Sequence, residues 1–177
     1  MENKFNIKVN CIFNPLDLKN IKKKSNVGKP DPFFKKNKCL KLLNLGRFTD
    51  QKDQITILKA CKILKDQVDF RLLIFGRGIE KNNMQKFIND NKLQRYIKLK
   101  NFIENPYRVI RQSDIFILSS KYEGLPNVLL EAASLRKIIL STDCPTGPKE
   151  ILLNGKGGFF FKIGDYQELA EKIRYIN

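Results

Sequence analysis

Short apolar runs separated by amphipathic stretches recur along the chain from Cys39 onward. The runs are brief and rich in β-branched or aromatic side chains, which is typical of buried strands. This pattern predicts six strands: Cys39–Leu45, Phe70–Phe75, Tyr96–Leu99, Ile115–Leu118, Ile138–Ser141 and Gly158–Phe161.

The segments between these runs carry apolar residues at helical spacing, as Ile57, Cys61 and Leu64 do. A proline stands at the start of three of them, where the missing N–H of a first helical residue costs nothing. The predicted helices are Asp53–Asp66, Lys81–Asn91, Pro106–Ser113, Pro126–Leu135, Pro148–Leu153 and Tyr166–Tyr175.

Strands that alternate with helices predict βαβ units and a parallel sheet covered on both faces. We therefore expect a three-layer, Rossmann-like α/β domain over residues 39–177, with a doubly wound sheet of about six strands. Residues 1–38 lack a period apart from one short strand at Ile7, Val9 and Ile12, and are interpreted as an irregular leader or linker. Ligands of such sheets bind in the loops at the carboxyl ends of the strands.

The chain has 177 residues and a net charge of +16, which favours anionic partners such as phosphates, nucleic acid or an acidic lipid surface. Its lysines are mostly dispersed, so charge has only a supporting role here. No apolar run approaches the roughly 18 residues of a membrane span. Because there is no histidine and no CxxC pair, a Cys/His metal site is not expected, and the four cysteines are interpreted as buried thiols of a reducing cytoplasm.

The loop after the first predicted strand contains two cations, Arg47 and Lys52, behind Gly46, which permits a sharp exit from the strand. Arginine can bind two phosphate oxygens at once and lysine adds a point charge, so the pair suits a diphosphate. The alternative is two solvated cations among many.

The next two loops are less specific. Gly76-Arg77-Gly78 is a fragment of a glycine-rich turn that lets the backbone approach a ligand or another loop, and it lacks the full dinucleotide-binding spacing. Phe102 and Ile103 could border a flat heterocycle, and core packing of Phe102 is the alternative.

The loop and helix after the fourth strand combine an anion site with two acids. The first turn of a helix has unpaired N–H groups, so a phosphate could lie at Gly124–Asn127, where Gly124 allows close approach. Glu131 lies among apolar residues and needs a partner, either vicinal hydroxyls such as those of a ribose or a lysine. Glu123 could accept hydroxyl hydrogens from a sugar attached to the phosphate.

Several motifs in order resemble glycosyltransferase family 4, a group of retaining enzymes with the two-domain GT-B fold. Glu123 and Glu131 match its E-x7-E motif, within Ser120-x-x-Glu-Gly-Leu-Pro-Asn-x-x-x-Glu-Ala. Asn44-Leu45-Gly46-Arg47 with Lys52 resembles its G-R-x4-K loop. The resemblance covers about Ile7 to Lys172 and identifies the chain as the C-terminal, donor-binding domain.

The resemblance implies catalytic roles for Arg47, Lys52 and Glu123: the cations neutralise the departing diphosphate, and Glu123 contacts the donor sugar. It implies donor contacts from Gly46, Phe102, Ile103, Gly124, Leu125, Asn127 and Glu131, with Glu131 on the ribose. No metal or cofactor is implied. The donor would be a UDP- or GDP-sugar carrying a hexose or N-acetylhexosamine, and the acceptor a glycan or a lipid-linked glycan.

The acceptor-binding half of a GT-B enzyme is absent from this sequence. We therefore expect a separate or deleted N-terminal domain, with residues 1–38 as the interdomain connection, and little activity from the chain alone. The expected setting is the cytoplasm, and the positive charge would also suit peripheral association with the inner face of a membrane. One alternative is a catalytically incomplete nucleotide-sugar-binding module. A nucleic-acid binder is disfavoured, because clustered basic residues interleaved with exposed aromatics are missing.

Overall fold

The computed structural model describes residues 15–35 and 38–177. Its centre is one six-stranded parallel sheet in the order β3-β2-β1-β4-β5-β6. The order reverses between β1 and β4, which are neighbours in the sheet although two strands separate them in the chain. The strands are β1 Leu40–Leu45, β2 Phe70–Phe75, β3 Ile97–Lys100, β4 Ile115–Leu118, β5 Ile138–Thr142 and β6 Phe159–Phe161.

Helices cover both faces of the sheet. One apolar core lies under α2, α3 and α7, and the other lies under α4, α5 and α6. The helices are α1 Leu18–Ser25, α2 Gln54–Leu64, α3 Lys81–Asp90, α4 Tyr107–Gln112, α5 Asn127–Ser134, α6 Pro148–Ile151 and α7 Tyr166–Ile176. Single 3-10 turns occur at Pro32–Phe34, Asp50–Lys52 and Leu153–Gly155.

The apolar pattern places the strands because both faces of the central strands are buried. In β2, every residue is buried, and its side chains alternate between the cores: Leu72 and Ile74 face one, Leu73 and Phe75 the other. The predicted doubly wound, Rossmann-like sheet is confirmed, with the bounds of strands and helices within two residues of those expected.

The expectation of irregular backbone throughout residues 1–38 is wrong for α1. Asp17 begins this helix by accepting a hydrogen bond from the backbone N–H of Asn20 at 2.9 Å. Its buried stripe is narrow: Ile21 and Ser25 are buried, while the lysines around them are exposed. The short strand predicted at Ile7–Ile12 lies outside the described residues.

Two of the three prolines stand one position earlier than the pattern implied. Pro106 and Pro126 immediately precede α4 and α5, and only Pro148 occupies the first helical position. In each case the proline still ends the preceding loop and sets the start of the helix, as its fixed φ requires.

Candidate functional site

The predicted site residues come from loops at one edge of the sheet. Arg47 and Lys52 follow β1, and Glu123 follows β4, so both loops leave the carboxyl ends of the two strands where the strand order reverses. In open α/β sheets this switch point opens a crevice between neighbouring loops.

Lys52 and Glu123 form an ion pair in this crevice. The Lys52 ammonium lies 2.5 Å from Glu123 Oε1, and the Ser120 hydroxyl donates to the same oxygen at 2.5 Å. The Lys52 side chain is 17% exposed and the Glu123 side chain is 7% exposed. The pair is thus largely desolvated, and a cation expected to serve phosphates is bonded to a carboxylate of the protein itself.

Backbone contacts lock the two loops together around this pair. The Ser119 hydroxyl donates to the carbonyl oxygen of Lys52 at 2.7 Å, and the Lys121 N–H donates to the carbonyl of Gln51 at 2.8 Å. The Gln51 side chain returns a bond to the carbonyl of Tyr122 at 3.0 Å. Because these bonds join segments about 70 residues apart, the position of Glu123 relative to Lys52 is fixed by the fold.

A third loop, after β5, packs against the start of α5. Gly147 has a φ of +85°, and a Cβ there would lie 2.4 Å from the carbonyl oxygen of Gly124, so only glycine fits. The neighbouring Thr146 hydroxyl donates to the carbonyl of Glu123. Gly124 itself has nothing within 4 Å of a built Cβ, which leaves the approach to the first turn of α5 open.

Glu131, the second acid of the motif, is half-buried on α5. Among the described residues its hydrogen-bond donor is the Tyr107 hydroxyl, at 3.3 Å from Oε1. Burial raises the pKa of Glu131 above its ordinary value, and the Tyr107 bond opposes that rise. Burial, and then the nearby Glu131 carboxylate, raise the pKa of Tyr107 as well. The lysine partner considered from the sequence is absent among the described residues.

A cleft of about 310 Å³ opens beside the start of α5. It is lined from the β1, β2 and β3 loops and from α5 by Leu45, Gly46, Arg47, Phe75, Gly76, Arg77, Phe102, Ile103, Pro106 and Val128. Phe102 is 64% exposed, so the alternative that it packs in the core is wrong. The Arg77 guanidinium lies over its ring, 5.6 Å from the centroid.

The glycines after β2 serve the approach of another loop, one of the two uses foreseen for them. A Cβ on Gly76 would lie 1.9 Å from the carbonyl oxygen of Gly46, and one on Gly78 would lie 2.2 Å from that of Phe48. The backbone of the β2 loop therefore lies directly against that of the β1 loop, and the two loops together form one wall of the cleft.

The structure therefore brings the predicted residues to one edge, in two groups. Gly46, Arg47, Phe102 and Ile103 line the cleft, while Lys52 and Glu123 form the adjoining ion pair. Val128 lines the cleft, and Glu131 follows it by three positions on the same side of α5. Gly124, Leu125 and Asn127 surround the start of α5 between the groups.

Three residues beside the site received no role from the sequence: Ser120, Tyr107 and Arg77. Tyr107 contacts a residue distant in sequence, and Ser120 and Arg77 lie in loops whose conformation the sequence does not predict. The spacing of apolar residues therefore gives no indication of their roles. The serine of the Ser-x-x-Glu spacing was the one available clue, because a hydroxyl three residues before a loop carboxylate can reach it.

Within the described ranges, no group of three or more His, Cys, Asp or Glu side chains could hold a metal ion. Of the helices in those ranges, none has the length and apolar character that crossing a bilayer demands. Cys39, Cys61 and Cys144 are buried, as expected, and Cys11 lies outside the described residues.

Comparison with known protein families identifies the family of this chain. The family model for glycosyl transferases group 1 matches residues 29–176, which includes every loop of the site. The chain belongs to this family. The Rossmann-like α/β fold of the sheet agrees with membership of this family.

Known relatives of this group 1 glycosyltransferase chain include archaeal and bacterial proteins. An uncharacterized glycosyltransferase of Methanocaldococcus jannaschii is 40% identical over 111 residues, covering 62% of this chain and 27% of the relative. The N-acetylgalactosamine-N,N'-diacetylbacillosaminyl-diphospho-undecaprenol 4-alpha-N-acetylgalactosaminyltransferase of Campylobacter jejuni is 25% identical over 169 residues, covering 94% of this chain and 44% of that enzyme.

Among solved structures, HepE of Anabaena in complex with UDP and glucose superposes with a TM-score of 0.72 at 20% identity. The match covers 77% of this chain and 38% of that one. The chain thus spans less than half the length of the relatives described here, and the shared fold extends over one part of them.

Proposed function

We propose that this chain is the donor-binding half of a retaining glycosyltransferase of family 4. It would bind a nucleotide-diphosphate sugar and contribute to moving a hexose or N-acetylhexosamine to a glycan or lipid-linked acceptor. The observation that carries the proposal is the cleft at the switch point of the sheet, bordered at one end by the Lys52–Glu123 pair.

The cleft suits the parts of a nucleotide sugar in sequence. The base lies against Phe102, whose exposed ring is covered on one side by Arg77, and the backbone near Ile103 offers hydrogen bonds. The ribose hydroxyls reach Glu131, a half-buried carboxylate with one weak donor among the described residues. UDP in the Anabaena structure supports a nucleoside diphosphate of this kind.

The diphosphate lies between Glu123 and Glu131. It contacts Arg47, Lys52 and the first turn of α5. As the bond between the anomeric carbon and the diphosphate oxygen breaks, its electron pair passes to that oxygen. Arg47 and Lys52 stabilise the charge that develops there, which lowers the barrier more than it stabilises the bound donor. Glu123 holds the sugar, close to the position where Lys52 meets the phosphate, with Gly124, Leu125 and Asn127 contributing contacts from the start of α5.

A second domain supplies the acceptor site in this proposal, so the isolated chain is expected to be inactive. The share of the relatives that the chain spans supports this division. The name of the Campylobacter enzyme supports an acceptor linked to a polyprenyl diphosphate, and with it the proposed setting at the inner face of a membrane. Exposed lysines of α1, with the net charge of +16, suit peripheral contact with acidic lipid there.

Isothermal calorimetry with UDP, GDP and ADP tests the proposal. We expect one of them to bind with a dissociation constant below about 1 mM. The Glu131→Ala variant should bind roughly tenfold more weakly or worse, since a charge-assisted pair of hydrogen bonds is lost. Glu171→Ala, an exposed acid on α7, serves as the control for the removed charge. Absence of binding by all three nucleotides would contradict the proposal.

A further inference from the structure

Both recognised donors to Glu123 converge on one of its two oxygens. The Ser120 hydroxyl and the Lys52 ammonium each lie 2.5 Å from Oε1, whereas no described residue donates to Oε2. When both donors bind one carboxylate oxygen, the other oxygen points away from them and keeps its acceptor sites for a further donor.

Ser120 is itself rigidly placed. It is fully buried, follows β4 after the intervening Ser119, and its carbonyl accepts the Thr142 hydroxyl at 2.6 Å. Thr142, at the end of β5, is fully buried too. The hydroxyl that reaches Glu123 is therefore tied to two neighbouring strands of the sheet.

We infer that Ser120 is a positioning residue that orients Glu123 Oε2 toward the hydroxyls of the donor sugar. The inference rests on the proposed function, in which Glu123 contacts that sugar. Lys52 alone does not set this orientation, because an ammonium has three equivalent donors on a flexible stem and can pair with either carboxylate oxygen. Ser120 has one short, fixed reach, so it selects a single orientation and leaves Lys52 free to turn toward the diphosphate.

This role separates two parts of the ligand. Ser120 acts on the sugar through Glu123, whereas the nucleotide and its phosphates depend on other residues. Loss of the hydroxyl should therefore weaken binding of a nucleotide sugar much more than binding of the nucleoside diphosphate alone. A purely structural role would weaken both equally.

The test compares the wild-type chain with Ser120→Ala by calorimetry. The probes are UDP-glucose, UDP-N-acetylglucosamine, UDP-N-acetylgalactosamine and GDP-mannose, each paired with its free nucleoside diphosphate. For the sugar that binds best, we expect Ser120→Ala to lower the ratio of nucleotide-sugar affinity to nucleoside-diphosphate affinity roughly tenfold. Ser120→Thr keeps a hydroxyl and should restore the ratio.

Ser113→Ala is the matched control. Ser113 is also almost fully buried and its hydroxyl also donates a hydrogen bond, to the carbonyl of Ile110 at 2.8 Å, but it precedes β4 at the opposite edge of the sheet. This variant should leave the ratio unchanged. If Ser120→Ala melts early, Ser120→Cys replaces it, because a thiol of similar size is a weak donor.

The outcomes distinguish the inference from the function beneath it. Equal loss for both ligand types, or an unchanged ratio in Ser120→Ala, overturns the role of Ser120 and leaves the nucleotide site standing. Binding of nucleoside diphosphates without binding of any of the four nucleotide sugars does the same. A wild-type chain that binds no nucleotide overturns the proposed function and the inference with it.

Discussion

Glu123 and Glu131 belong to one loop-helix unit, yet the protein treats them differently. Glu123 is 7% exposed and bonds to an ammonium and a hydroxyl, both at 2.5 Å. Glu131 is half-buried, and its described donor is a single tyrosine hydroxyl at 3.3 Å. One carboxylate is compensated before any ligand arrives, whereas the other retains a desolvation penalty that a ligand with two hydroxyls could relieve.

With one compensated and one under-compensated acid, a site can be stable and still bind a ligand. The compensated acid fixes the loops after β1 and β4 in place, because its partners come from both of them. Glu131, the under-compensated acid, makes no such contact, so its carboxylate stays available to a ligand. Loss of the Glu123 ion pair should have the larger effect on stability.

Replacing Lys52 with methionine should cost about 3 kcal/mol of the free energy of unfolding. The substitution keeps most of the side-chain volume but leaves the Glu123 carboxylate nearly buried without a countercharge. Urea unfolding of the wild-type and variant chains measures the loss. The double variant Lys52→Met with Glu123→Gln should recover much of it, since no buried charge then remains.

Lys121→Met provides the matched control for this change. Lys121 also approaches a carboxylate, Asp50, at 2.5 Å, but the Asp50 side chain is 82% exposed. Exposed ion pairs contribute little, so this variant should lose less than about 1 kcal/mol. An equal cost for the two lysines would show that burial of Glu123 does not govern the energetics of the pair.

The second measurement concerns the pH dependence that Glu131 imposes. Burial raises its folded-state pKa above the ordinary 4.5, so the folded chain holds this proton to higher pH than the unfolded chain does. As pH rises from about 4.5 through the raised pKa, the unfolded chain binds fewer protons and stability falls. Glu131→Gln has no such titration. It should therefore become more stable than wild type across that window.

Thermal unfolding at a series of pH values follows this gap. We expect the melting temperatures of Glu131→Gln and wild type to agree below pH 4.5 and to separate as pH increases toward neutrality. Glu171→Gln, at an exposed position of α7, controls for the loss of one negative charge. A gap of the opposite sign would mean that ionised Glu131 is well compensated in the free protein.

The sequence predicts the fold well because the signal is local. Runs such as Phe70–Phe75 are buried on both faces, so their apolar content alone identifies a central strand. The position of the site follows from topology, since parallel strands direct all their following loops to one edge. The sequence alone therefore predicts the edge of the sheet at which the two acids and the two cations lie.

The pairing of those charges was not predictable from the sequence. Lys52 and Glu123 are 71 residues apart, and their ion pair depends on the relative height of two loops at the end of the sheet. The sequence offered a lysine to Glu131 and left Glu123 without one, whereas the structure does the reverse. Helix α1 was missed for another reason: its single buried stripe is hidden among lysines, and packing against α4 supplies what periodicity lacks.

The smallest effect tests the tyrosine side of the contrast. The Tyr107 hydroxyl favours the charged form of Glu131, so Tyr107→Phe should raise the Glu131 pKa further while changing the free energy of unfolding by less than about 1 kcal/mol. Carbon-detected NMR titration of the Glu131 carboxyl measures the shift, with Tyr175→Phe on the exposed end of α7 as control. An unmoved pKa would mean that the 3.3 Å contact carries no bond in solution. Glu131 would then lack even this donor, and the contrast with Glu123 would be larger than the structure indicates.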